Sequence, residues 1–176
     1  MPSSAGPLHW VALLRGVNVG GITVRSAELG ALFHRLGFDA VRTVLATGNV
    51  VFTASGDQAQ LKRRIESALE DEFGYDAWIV LLPFERLDGI IDAFPYEERD
   101  DRQPYVVFCS SDETLDELSD EAADSAGEHV TRGGGVLYWE VPVGSSTSTP
   151  FATLLAKSRY KPFTTTRNLR TLRKLL

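Results

Sequence analysis

The chain has a single cysteine, Cys109, among its 176 residues, and only three histidines, His9, His34 and His129. One thiol excludes an internal disulfide and any multi-thiolate metal centre. The histidines are scattered, with neither the i, i+4 spacing nor the neighbouring carboxylates of a metal motif, so no metal site and no cofactor is expected. Cys109 ends an apolar run from Tyr105 and reads as a small buried hydrophobe. No apolar stretch approaches the roughly eighteen residues a membrane-crossing helix needs. The opening Met1 to Pro7 lacks the basic flank and apolar stretch of a secretory signal. A soluble, cytoplasmic protein without a membrane partner is the expectation, with residues 1–7 as a disordered lead.

Acidic side chains are missing from the end of the chain. The first 150 residues hold all 24 of them against eleven basic ones, while the last 26 hold seven basic residues and no acidic one. Such a split means either that the basic end packs against the acidic body or that it faces an anionic ligand. Apolar residues make up 43% of the chain and charged ones 24%, the balance of a chain that builds a core.

What is present is a repeated order of elements. Leu8 to Arg15 is an apolar run of strand length ended by the glycine-rich Gly16 to Gly21. Leu29, Leu32, Phe33 and Leu36 recur at helical spacing, and Gly37 stops that helix. Ala40 to Ala46 and Val50 to Ala54 read as strands joined at Thr47-Gly48-Asn49, a hairpin turn. A second helix opens at Asp57 as N-cap, turns Leu61, Ile65, Leu69 and Phe73 inward, and ends at Gly74. Ala77 to Leu82 supplies a last strand. Residues 8–82 thus follow the split βαβ order of a ferredoxin-like unit. Residues 83–103 read as a connecting helix and a charged linker ending before Pro104. Residues 104–176 repeat the pattern less cleanly, with strands near Tyr105 to Cys109, Glu128 to Thr131 and Val136 to Val141 and helices from Asp112 and Phe151. Thr166 to Leu176, with Leu169, Leu172 and Leu176 at helical spacing, reads as a helix in place of a closing strand. The expected fold class is α+β, built of two ferredoxin-like βαββαβ-type repeats, the second modified with a C-terminal helix.

Two segments could carry chemistry. Arg15-Gly16-Val17-Asn18-Val19-Gly20-Gly21 follows a strand and precedes a helix, where backbone N–H groups can turn toward a phosphate. Its spacing is neither G-x-G-x-x-G nor a P-loop, and a tight turn is the alternative. Arg15 beside Asn18 sets a fixed cation with five donors next to an amide. In Thr164-Thr165-Thr166-Arg167-Asn168 a threonine can cap the following helix, which would place Arg167 at its unfavourable positive end. An internal acid or a bound anion would offset that cost. The acidic run Asp112 to Glu121 reads as a solvated helix face. Gly144 to Pro150 reads as a hydroxyl-rich loop, in which Ser148 has no histidine placed to activate it.

Several of these motifs carry a family resemblance. Ala12-Leu13-Leu14-Arg15-Gly16-Val17-Asn18-Val19-Gly20-Gly21, Leu36-Gly37-Phe38, Val41-Arg42-Thr43, Gly48-Asn49-Val50-Val51-Phe52 and Thr165-Thr166-Arg167-Asn168 with Thr171 and Lys174-Leu175 together resemble the bacterial family catalogued as domain of unknown function 1697. The resemblance implies two ferredoxin-like repeats in a cytoplasmic protein and no established activity. The chain departs from the family pattern at Thr147 and Thr149, where basic residues usually bracket the serine, and at Leu169, where a tryptophan follows Arg-Asn; less positive charge in that loop implies a different ligand or weaker binding.

From the residues themselves, the leading expectation is a site for a small phosphate- or carboxylate-bearing ligand made by Arg15, Asn18, Gly20, Gly21, Asn49, Thr166, Arg167 and Asn168. No nucleophile or acid–base pair is identified, so no reaction is assigned, and arginines and amides would serve as electrostatic stabilisers. One alternative is RNA binding through the sheet and the basic C-terminal helix, against which stand the acidic body and the lack of paired aromatics around Gly48 to Phe52. Another is a non-catalytic interaction module. The sequence leaves the oligomeric state open.

Overall fold

A computed structural model of the chain describes residues 6–15, 23–45, 48–122 and 127–176. The chain divides into two compact units, Met1–Asp88 with Lys174–Leu176, and Gly89–Arg173.

The first unit runs β1 (Leu8–Arg15), α1 (Ser26–Arg35), β2 (Asp39–Val44), β3 (Asn49–Ala54), α2 (Gln58–Phe73), β4 (Trp78–Pro83) and the start of α3 (Phe84–Asp92). Its antiparallel sheet has the order β2-β3-β1-β4. Period-two alternation along β1 sends Trp10, Ala12 and Leu14 to one face, where they pack with Phe33 of α1, Ile65 and Leu69 of α2, and Phe52 of β3. Phe33, Phe38 and Phe52 form the aromatic centre of this core, with ring centroids 4.8 to 5.8 Å apart. The expected ends of α2 are found: the Asp57 carboxylate accepts from the Gln60 N–H at 3.3 Å, and Gly74 closes the helix at φ +68°. Arg42 on the edge strand β2 donates to the carbonyls of Lys174 and Leu175 at 3.2 and 2.6 Å, which ties the last residues to this unit.

The second unit contains β5 (Arg102–Cys109), α4 (Asp112–Glu121), β6 (His129–Arg132), β7 (Val136–Pro142), α5 (Pro150–Ala156), β8 (Thr164–Asn168) and α6 (Leu169–Arg173). Its sheet order, β6-β7-β5-β8, repeats that of the first. Val107, Leu137 and Trp139 pack with Leu115 and Leu118 of α4 and Phe151 and Leu154 of α5. The acidic side chains of α4 are mostly exposed, as expected of a solvated face, and two of them are in surface ion pairs: Asp116 with Arg132, and Glu117 with Arg159 at 2.9 Å.

The two-repeat α+β architecture is as expected, and the second repeat is more complete than the sequence suggested. Thr164–Asn168 is a closing strand, paired antiparallel to β5 from Cys109↔Thr164 to Tyr105↔Asn168, and the C-terminal helix begins only at Leu169. Pro104 lies inside β5 instead of marking its start. The ladder to β8 begins at Tyr105, so on that side Pro104 faces no partner and its missing N–H leaves no bond unmade.

Candidate functional site

Of the residues the sequence nominated, Asn18, Gly20 and Gly21 lie outside the described residues, as does the start of the disordered lead expected at residues 1–7. The remainder divides between the two units. Arg15 and Asn49 belong to the first; Thr166, Arg167 and Asn168 belong to the second.

In the first unit Arg15 is the last residue of β1, opposite Trp78 of β4. Strand alternation places it with Val11 and Leu13, on the sheet face away from α1 and α2. Asn49 is opposite Leu13 and therefore shares that face. Its side chain is buried, and its Nδ2 donates to the Val44 carbonyl at 2.9 Å, across the β2–β3 turn. Gly48 supplies the positive φ of that turn, +76°, and its carbonyl accepts from Leu14 N–H at 2.8 Å. Asn49 thus holds the hairpin and docks it beside the end of β1.

In the second unit the helix-terminus reading of Thr164 to Asn168 is replaced by an edge strand. The dipole penalty expected for Arg167 does not apply, because α6 starts two residues later and Asn168 caps it, its Oδ1 accepting from Arg170 N–H at 2.9 Å. Alternation also separates the three nominated residues. Thr166 lies opposite Val107 and Asn168 opposite Tyr105, on the face that carries α4 and α5. Arg167 lies opposite Val106 and Thr165 opposite Phe108, on the other face.

Arg167 is only 8% exposed. Its Nη1 donates to Thr165 Oγ1 at 2.7 Å and to the Thr166 carbonyl at 3.1 Å, so the guanidinium is held along its own strand. Burial strips water from the charged form and lowers its pKa to about 10. A buried cation of this kind is stabilised by any negative charge brought next to it. Five donors in a planar fork suit carboxylate or phosphate oxygens.

Two other basic residues of the C-terminal stretch are tied to acids within the unit. Arg173 pairs with Glu98, lowering the Glu98 pKa, and Arg159 reaches both Glu117 and Glu121. The strand aromatics Trp10, Phe52, Phe108, Tyr138 and Trp139 are buried, while Trp78 and Tyr105 are half-buried, so no described strand presents a fully exposed ring on which a base could stack.

A further buried charge carried no recognisable sequence signal. Glu128, 1% exposed, accepts from the indole Nε1 of Trp139 at 2.8 Å through one oxygen and from the Phe151 backbone N–H at 3.2 Å through the other. A lone glutamate ahead of a short strand has no spacing that marks it as a bridge between a strand and a helix.

No curated protein matches the chain. Among solved structures, its fold is similar to "The structure of conserved bacterial protein SP0830 from Streptococcus pneumoniae", at 24% identity, with 97% of each chain covered and a TM-score of 0.82. At that identity the likeness is one of fold. A crystal structure of an unknown protein from Galdieria sulphuraria, 12% identical over 93% of this chain and 98% of that one, has a TM-score of 0.30, too low to carry argument. The motifs at Arg15 to Gly21 and Gly48 to Phe52 fall within a longer match: residues 8–138, more than half of the chain, fit the family described as "Protein of unknown function (DUF1697)", and the chain belongs to that family.

Proposed function

We propose that the protein binds a small phosphate- or carboxylate-bearing molecule, with the Arg167 guanidinium as the group that takes the ligand's charge. The observation that carries this reading is a guanidinium buried in an edge strand and oriented by Thr165, with its charged form disfavoured by burial. An anion offsets that cost, and the binding free energy includes the gain. Asn49 serves the hairpin of the first unit, and Asn168 serves the start of α6. The reading assigns binding and no reaction.

Isothermal titration with inorganic phosphate and with acetate tests it, alongside Arg167→Lys and Arg167→Met. Wild-type protein is expected to bind at least one of these anions. Arg167→Lys, which keeps the charge and loses the fork, is expected to weaken binding by about tenfold, and Arg167→Met to abolish it while circular dichroism shows a folded chain. Wild-type affinity in folded Arg167→Met overturns the reading. If that variant does not fold, unchanged affinity in Arg167→Lys does so.

A further inference from the structure

Between the C-terminal end of α4 and the flank of α5, wholly within the second unit, lies a half-open cleft of about 650 Å³. That is the size range in which proteins hold small organic molecules. Its floor is apolar, made by Phe151 and Leu154, both of which also belong to the core under α5. Pro150 and Ala122 extend the apolar wall. Phe151 is fixed from two sides, by the edge-on ring of Trp139 at 5.3 Å and by the bond from its N–H to Glu128. The floor is therefore preformed.

The rim has two charges, and they are not equivalent. The Glu121 carboxylate accepts from the Tyr160 hydroxyl at 2.6 Å and has Arg159 at 3.8 Å, so its charge is largely answered within the protein. The Lys157 ammonium, on the same rim, has no ion-pair partner among the described residues. Ser148 also lines the cleft. An apolar floor with one unanswered cation at its edge is complementary to a molecule with an apolar body and an anionic head.

We propose that this cleft binds a small amphipathic carboxylate, its hydrocarbon body against Phe151 and Leu154 and its head group at Lys157. The site is separate from Arg167 and stands without the reading given above. Octanoate, octylamine and octanol share one hydrocarbon body and differ in the charge of the head, so they separate the contribution of Lys157 from simple apolar contact. Titrated into isotopically labelled full-length protein, octanoate is expected to move the NMR signals of Ala122, Phe151, Leu154 and Lys157. The amine and the alcohol are expected to bind about tenfold more weakly or worse, the worth of one partly exposed charge-assisted contact. Lys157→Met, which keeps the chain length, brings octanoate down to the level of octanol, and Thr153→Trp, which fills the cleft, removes binding of all three. Arg167→Lys leaves the octanoate-induced shifts of Ala122, Phe151, Leu154 and Lys157 unchanged, whatever it does to an anion held on β8. Equal binding of octylamine at the cleft, signals of Ala122, Phe151, Leu154 and Lys157 that do not move, or wild-type octanoate shifts of these residues in Lys157→Met overturns the inference. So does loss of octanoate binding in Arg167→Lys with retention in Lys157→Met, which places the anion on β8.

Discussion

At the scale of single residues, the run Gly133-Gly134-Gly135 between β6 and β7 shows that three identical letters can have three different reasons. Gly135 needs its φ of +78°, which side chains with a Cβ rarely adopt. At Gly133 the constraint is space: an added Cβ would come within 2.4 Å of the Tyr138 ring. That ring is not free to move, since its hydroxyl donates to the Ile90 carbonyl at 2.7 Å and Phe94 packs edge-on at 5.7 Å. Gly134 has neither constraint, with open space around the position. Gly133→Ala is accordingly expected to destabilise the protein by about 1–3 kcal/mol, the usual cost of overpacking, and Gly134→Ala by less than about 0.5 kcal/mol in either direction. Urea denaturation of the two variants checks this, and equal midpoints would show that the Tyr138 ring yields. The same scale explains why the candidate site was only half legible. Arg167 was recognisable as a cation without an adjacent acid in sequence, whereas its burial, which gives it consequence, depends on which face of β8 it occupies.

At the scale of elements, helix ends were read well because their signals are local. Asp57 and Gly74 cap α2 through contacts within four residues, and a sequence carries such contacts whole. The strand β8 was not legible for the converse reason. Thr-Thr-Thr-Arg-Asn has no apolar alternation, and threonine favours both caps and strands, so the choice is made by the ladder to β5, some sixty residues away. Glu128 is a second long-range device, joining β7 through Trp139 to the start of α5 through Phe151. Removing its carboxylate leaves an indole N–H and a backbone N–H buried without acceptors. Glu128→Ala is expected to cost about 2–4 kcal/mol, because each orphaned donor keeps its desolvation penalty. Glu128→Gln is expected to cost less, since its amide oxygen still serves one of the two donors. Urea titration followed by tryptophan fluorescence checks both, and a Glu128→Ala midpoint equal to that of the wild type would mean that α5 is held by its apolar face alone.

At the scale of the whole molecule, buried titratable groups set how stability responds to alkali. Burial raises the Cys109 thiol from 9.0 to about 11 and the Tyr75 hydroxyl, which has no hydrogen-bond partner among the described residues, from 10.0 to about 12. Tyr160 rises to about 12 through the bond its hydroxyl donates to Glu121, helped by burial. Each group keeps its proton longer in the folded chain than in the unfolded one, so its contribution is intact below the unfolded pKa and is lost as pH climbs toward the folded one. Arg167 works in the opposite sense, because burial lowers its pKa and so opposes that loss at high pH. The two effects overlap above pH 10. Between pH 9 and 10 the thiol acts ahead of the phenols and the guanidinium, and a fall in the urea midpoint is expected there. Cys109→Ala removes the thiol and is expected to flatten the curve in that interval while leaving the steeper loss at higher pH to Tyr75 and Tyr160. A wild-type midpoint that stays level from pH 9 to 10, or an alanine variant that falls in parallel with it, would mean that the thiol ionises in the folded protein and that β5 does not shield Cys109 from water.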